Sequence, residues 1–364
     1  MHLMKPPFRA DQVGSLLRPA ALAEARRRWK RGALEAAQLA AIEDAAILEA
    51  VRRQEAIGLE AVTDGEFRRD WWHLDFLSQL DGVTTRDNPG PKFGGTEEQP
   101  PIATVTGRVG CSKPIMVQHF AFLKSVARAT PKFTMPSPSM LHLRGGRNAI
   151  STEAYPGLDA FWDDVAAAYR EAIAHLAAAG CTYLQLDDTA FAYLCDPKIR
   201  ETCRRNGDDP ALLPQRYADA INAVLEGRPE GMSITLHTCR GNFKSAWVAE
   251  GGYDPVAKAM FSANVDGFFM EFDSARAGTF EPLKALPKGK KVVLGLVTTK
   301  VGEIEDKAML KRRIAEAAKF VPLENLCLSP QCGFSSTHHG NVLSEDDQWR
   351  KLELIVETAR EVWA

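Results

Sequence analysis

Ser233-Ile234-Thr235-Leu236-His237-Thr238-Cys239-Arg240-Gly241-Asn242 is an apolar run that ends in His-x-Cys and then breaks at Arg-Gly-Asn. Side chains two apart on an extended strand point to the same side, so a strand ending here presents an imidazole beside a thiol. That pair is half of a zinc site if further ligands converge on it, and an ordinary buried thiol if none do. The stretch therefore directs attention to where the other strands end.

Outward from this run, short β-rich segments alternate with long helical patterns, as parallel βαβ units require. Towards the N-terminus come strands at Phe8–Val13, breaking at Gly14-Ser15, and at Leu59–Thr63, ending in Asp64-Gly65-Glu66. A third falls at Lys132–Met135, ending in Pro136-Ser137-Pro138-Ser139, and a fourth at Thr182–Leu186, ending in Asp187-Asp188. The quoted run is the fifth. Beyond it lie Gly267–Met270, ending in Glu271; Lys291–Val297, ending in Thr298-Thr299-Lys300; and Asn325–Ser329, followed by Pro330-Gln331-Cys332-Gly333. Helical patterns cover Pro19 to Gly58 with a break at Gly32, Leu158–Ala179 closed by Gly180, Pro214–Leu225 and Glu345–Trp363.

Residues 82–130 depart from this alternation. Asp87–Pro91 and Gly94–Thr96 are turn-forming, and Ile102–Val109 reads as an extra strand in an excursion outside the main sheet. Eight strands separated by helices, with one composition throughout, predict an α/β fold: a single (β/α)8 TIM barrel spanning residues 1–364, with an excursion after strand two. A dinucleotide-binding sheet would need Gly-x-Gly-x-x-Gly after its first strand, which this chain lacks.

The 364 residues are 45% hydrophobic and 25% charged, with net charge −2, so nothing electrostatic favours nucleic acid or an anionic membrane. No segment approaches the roughly 20 apolar residues of a membrane helix, and Met1–Pro7 lacks the apolar core of a signal peptide. Seven sparsely spaced cysteines, an odd number, suit reduced thiols in a cytoplasmic protein.

A barrel builds its site at the C-terminal ends of its strands. Those ends here carry Ser15, Glu66, Asp187 with Asp188, His237 with Cys239, Glu271, Thr299 with Lys300, and Cys332. His237, Cys239, Glu271 and Cys332 together make a plausible tetrahedral zinc set, against the bland alternative of a surface acid and buried loop thiols. Cys327, within its strand, reads as core. Glu66 and Asp187 suit the ammonium group of an amino acid, with Ser15 and the backbone near Gly14 for its carboxylate; a structural acid pair with Arg68 or Arg69 is the competing reading. Asp188 points the other way from Asp187 on an extended strand.

Taken in order, Gly14-Ser15, Asp64-Gly65-Glu66, Leu184-Gln185-Leu186-Asp187-Asp188, Leu236-His237-Thr238-Cys239, Glu271 and Pro330-Gln331-Cys332-Gly333 resemble the cobalamin-independent methionine synthase family. The resemblance covers nearly the whole chain and corresponds to the C-terminal catalytic barrel of the long enzymes. It implies Zn2+ held by His237, Cys239, Glu271 and Cys332, and homocysteine bound through Glu66, Asp187 and Ser15. It further implies methyl transfer to the homocysteine thiol from 5-methyltetrahydrofolate, often polyglutamylated, giving methionine. A helper protein for folate delivery is compatible with it.

The chain departs from the family where the long enzymes carry Asp-x-His after strand seven; here the segment is Val297-Thr298-Thr299-Lys300. Folate's amine leaving group needs a proton, and Lys300 or His339, beside His338, is the expected substitute as catalytic residue. The aromatic platform of the long form is also missing after strand three, where Met140-Leu141-His142-Leu143 stands; Trp71 and Trp72 offer an alternative to it. Three rival readings follow: alkyl transfer from a non-folate donor or to another small thiol, a metal-free porphyrinogen-type barrel decarboxylase, and a zinc-binding barrel without catalysis.

Overall fold

A computed structural model describes residues 5–88 and 100–364. Its elements run in the expected order. Helices α1 (Ala20–Lys30) and α2 (Ala36–Ile57) precede the two-residue strand β1 (Ala61–Val62), and α3 (Leu74–Leu77) follows it. Strands β2 (Asp81–Arg86) and β3 (Ile102–Gly110), then α4 (Val117–Val126), lead to β4 (Thr130–Pro136). Next come α5 (Asp159–Ala178), β5 (Tyr183–Asp188), α6 (Ala190–Tyr193), α7 (Pro197–Arg205), α8 (Leu213–Val224) and β6 (Ser233–Thr238). The chain finishes through α9 (Ala257–Met260), β7 (Gly267–Glu271), β8 (Lys291–Val297), α10 (Lys307–Ala317), β9 (Leu326–Pro330) and α11 (Glu345–Val362).

Seven parallel strands form one sheet in the order β1-β4-β5-β6-β7-β8-β9. The eighth barrel position belongs to residues 8–14, and here the structure differs from the expected strand. Only Ala10 forms a bridge, to Leu328, with Asp11 N–H donating to the Leu328 carbonyl at 3.0 Å. The cause is local. The Asp11 carboxylate accepts from the backbone N–H groups of Phe8 at 3.2 Å and Gln12 at 2.8 Å, which bends the backbone away from regular pairing. On the other side the segment reaches β1 through side chains, with Thr63 Oγ1 donating to the Gly14 carbonyl at 2.6 Å.

Strand parity sorts the core into two layers. Outward residues such as Leu184, Leu186, Ile234, Leu236, Phe268 and Met270 join the large cluster beneath the helices. Inward residues Val13, Phe269, Val293 and Cys327 form a small cluster of their own inside the barrel, so Cys327 is core as expected. Both faces of the central strands are buried, which is why they read as continuous apolar runs.

The helix ends follow their sequence signals. Gly58 closes α2 in a left-handed conformation (φ 96°), and Ser344 with Asp347 forms a capping box on α11. The excursion is an antiparallel β2–β3 ribbon followed by α4. Neither β2 nor α4 was expected, because Asp81-Gly-Val-Thr-Thr-Arg86 is polar and half exposed and carries no strand-like apolar pattern. The loop expected through Pro89–Pro91 and Gly94–Thr96 lies outside the described residues. No described helix is long and apolar enough to cross a membrane.

Candidate active site and metal centre

His237 shares inward parity with Thr235 on β6, Cys239 lies one residue past that strand, and Cys332 lies two residues past β9. Their ligand atoms fall within 4.8 Å of one another, and all three residues are buried. The two sulfurs are 3.6 Å apart. Two thiolates on one tetrahedral zinc, with Zn–S near 2.3 Å, sit about 3.8 Å apart, so the spacing fits the ion. His237 Nδ1 lies 3.0 Å from Asp187 Oδ1, while Nε2 is buried without a partner. A carboxylate on one ring nitrogen that leaves the other for a metal is the usual arrangement of a ligating histidine.

Electrostatics in this corner are strongly coupled. The hydrogen bond between the two sulfurs holds the Cys332 thiol well below its ordinary range, helped by His237, and pushes Cys239 well above it. Burial disfavours the His237 cation, but the bond to Asp187 and the neighbouring Cys332 outweigh that and raise the group to about 10. Ligating thiols bind as thiolates, so a metal entering here releases protons.

Glu271 departs from the expected ligand set. It is fully buried, but its carboxylate is already engaged: Oε2 accepts from Arg240 N–H at 2.7 Å and Oε1 from Arg276 Nη2 at 2.6 Å. Among the described residues the converging group is His237, Cys239 and Cys332. Three protein ligands with one open position is the pattern of a catalytic zinc, and this donor set fits it.

The turn after β1 supplies the opposite charge. Glu66 has a left-handed backbone (φ 58°), held by Asp64 Oδ1, which accepts its N–H at 2.9 Å. Glu66 Oε1 accepts from Thr134 Oγ1 at 2.8 Å, whereas Oε2 is buried and unpartnered. Burial raises its carboxyl to about 7 against the pull of Arg69. Gly14 (φ 150°) must lack a side chain, because a Cβ there would stand 2.7 Å from Thr134 Cγ2 and 3.1 Å from Glu66 Oε1. Ser15 Oγ accepts from Ser335 N–H at 3.3 Å. Half-buried Arg18 donates to the carbonyls of Glu66 and Arg69 and to Ser335 and Thr337, stitching the turn after β1 to the loop after β9.

One cavity, with about 570 Å³ of empty space partly open to solvent, is lined by Ser15, Glu66, Asp187, His237, Cys239 and Cys332. Trp71 and Trp72 line it as well. Asp188 also reaches its wall, but its carboxylate binds the Ser139 hydroxyl and the Phe191 N–H, in keeping with its opposite parity. The two expected proton donors are not among the lining residues. Lys300 Nζ is buried against the Gly241 carbonyl at 3.1 Å, and His339 packs beside His338 and Phe243 on a neighbouring groove. Among the lining residues that escaped sequence reasoning are His73, Arg144 and Tyr193. They lie several residues past strand ends, His73 and Arg144 in turns and Tyr193 at the end of the short helix α6, where no periodicity reveals the course of the chain.

Relatives agree with this architecture. The model of the cobalamin-independent synthase catalytic domain matches residues 8–360. The YxjH protein of Bacillus subtilis (strain 168) is 46% identical over 363 residues, covering 99% of this chain and 96% of that protein. The 5-methyltetrahydropteroyltriglutamate–homocysteine methyltransferase of Aeromonas salmonicida is 24% identical over 340 residues; the match takes in 92% of this chain and 41% of that longer enzyme. The crystal structure of a candidate vitamin-B12-independent methionine synthase from Listeria monocytogenes superposes with a TM-score of 0.80 at 37% identity, covering 98% of both chains. The barrel, its strand-end residues and these matches place the chain in the cobalamin-independent synthase family, as its catalytic domain.

Proposed function

We propose that the whole chain is one catalytic barrel that transfers a methyl group from 5-methyltetrahydrofolate, in a polyglutamylated form, to the thiol of homocysteine, giving methionine. The observation that carries this reading is the meeting of a His-Cys-Cys metal corner and an unpartnered carboxylate oxygen in a single cavity. Zinc bound at His237, Cys239 and Cys332 would supply the Lewis acidity that keeps a substrate thiol ionised at neutral pH.

The chain's own residues do the rest. Glu66 Oε2, orphaned and buried, accepts the substrate ammonium, while Thr134 and Arg69 fix the other oxygen. Asp187 orients His237 through Nδ1 and is itself oriented by Gln185 Nε2 at 2.7 Å. Ser15 and the backbone beside Gly14 take the substrate carboxylate. Burial of these groups excludes water and strengthens each charged contact.

A second reading keeps the thiol chemistry and changes the donor. It is favoured by the positions of Lys300 and His339, neither of which lines the cavity. A folate amine must be protonated as it leaves, whereas a sulfonium or quaternary ammonium donor leaves as a neutral molecule with no proton required. The test is zinc content of purified protein together with methionine formation from homocysteine, using methylfolates with one and with three glutamates beside simple onium donors. Absence of methionine with every folate form removes the folate assignment, and activity in zinc-free protein removes the metal.

A further inference from the structure

The side of the cavity formed after β1, β4 and β5 holds polar groups that the methyl-transfer reading leaves idle. His73 is 1% exposed, lines the cavity and has no partner on either ring nitrogen. Tyr193, 7% exposed at the end of α6, has an unpartnered buried hydroxyl. Arg144, in the turn after β4, lines the same wall with its Nε buried and unpartnered. The three stand together, since the Arg144 charge bears on both His73 and Tyr193. Trp72 packs on the His73 ring at 4.6 Å between centroids and closes the wall with an apolar face.

Burial and the Arg144 cation hold His73 well below its ordinary range, so its ring is neutral and offers one N–H. The wall therefore presents a guanidinium, an imidazole N–H and a phenol O–H. Buried donors without partners are costly unless a ligand satisfies them. A carboxylate does so best, because it pairs with guanidinium and accepts further hydrogen bonds on its remaining lone pairs. Homocysteine's charged ends are already answered by Glu66, Asp187 and Ser15, so the anion that fits here belongs to the other substrate.

We propose that His73, Arg144 and Tyr193 form a carboxylate-binding subsite for the methyl donor, an assignment that rests on the methyl-transfer reading of the cavity. Two donors carry the required group: methylfolate, through its glutamate, and a small onium carboxylate such as glycine betaine.

Calorimetry on the zinc-loaded protein, with Arg144→Gln, Arg144→Lys and Tyr193→Phe, tests the assignment. The probes are 5-methyltetrahydrofolate, its tetrahydropterin fragment lacking the benzoylglutamate, glycine betaine and homocysteine. The carboxylate donor that binds wild type should lose at least tenfold in affinity in Arg144→Gln and a few-fold in Tyr193→Phe. Arg144→Lys should recover part of the loss, and homocysteine should stay within twofold. Whichever of the two carboxylate donors shows this pattern is the source. The assignment is overturned if neither donor binds wild type, if homocysteine weakens as much as the donor, or if the carboxylate-free pterin loses equally. Arg144-dependent carboxylate binding in a protein that makes no methionine would instead leave the subsite standing and remove the reaction.

Discussion

The two ends of the barrel interior hold buried polar groups in opposite conditions. At the N-terminal end, Asp11 Oδ1 accepts from Lys132 Nζ at 3.1 Å and Oδ2 from Tyr183 Oη at 2.7 Å, while Lys132 also reaches the Gln12 carbonyl. Gln12, Gln54 and Thr63 continue the network, and none of these residues leaves a buried polar atom orphaned. At the C-terminal end, Glu66 Oε2, His237 Nε2, both His73 nitrogens and the Tyr193 hydroxyl are all orphaned. Equal burial with unequal satisfaction separates groups that hold the barrel shut from groups that wait for a ligand.

The sharpest break in this comparison is Cys332→Ser. It should reduce bound zinc to a trace by elemental analysis and lower turnover on the order of a thousandfold, because a hydroxyl is a poor substitute for a thiolate ligand. Thermal stability of the metal-free protein should barely change.

Lys132→Met reverses the pattern. It strands the Asp11 carboxylate, and denaturant titration should show a loss of about 3 kcal/mol. Homocysteine affinity of the remaining folded protein should be unaltered.

Asp187→Asn tests the link between strand ends. With His237 less firmly oriented, zinc affinity measured by chelator competition should fall roughly 10- to 100-fold.

The smallest expected effect is a pH dependence at Glu66. Its carboxyl sits at about 7, raised chiefly by burial and further by Asp187 and Asp64, with Arg69 opposing. The ionised form binds an ammonium group, so apparent homocysteine affinity should weaken by about tenfold as pH falls from about 8 to about 6. Glu66→Gln should bind weakly and flatten that dependence; a wild-type profile that stays level would break the assignment.

How far the sequence could be read follows from what each signal measures. Parity along β5 and β6 carried Asp187 and His237 to the inner face and Asp188 outward, because a two-residue repeat is a local property. The convergence of Cys332 on Cys239 was inferred only through the barrel rule, since 93 residues separate them. Glu271 shows the limit. Its position at the end of β7 was legible, but Arg276 and the Arg240 N–H, which engage its carboxylate, act through tertiary contacts that no spacing encodes. The direction of the Lys300 side chain was hidden for the same reason: its strand end was legible, but not that its ammonium meets the Gly241 carbonyl.

By itself, then, the sequence determined the strand series, the barrel and the corner residues His237, Cys239 and Cys332, because hydrophobic periodicity and strand ends are properties of adjacent residues. Tertiary structure alone decided which buried polar atoms find partners. That choice depends on where loops such as 66–73 and 332–339 cross, pinned by Arg18 and by the Trp72 N–H to Ser336 carbonyl bond at 3.1 Å. Those crossings bring His73 into the cavity that Arg144, Tyr193 and the metal corner also line.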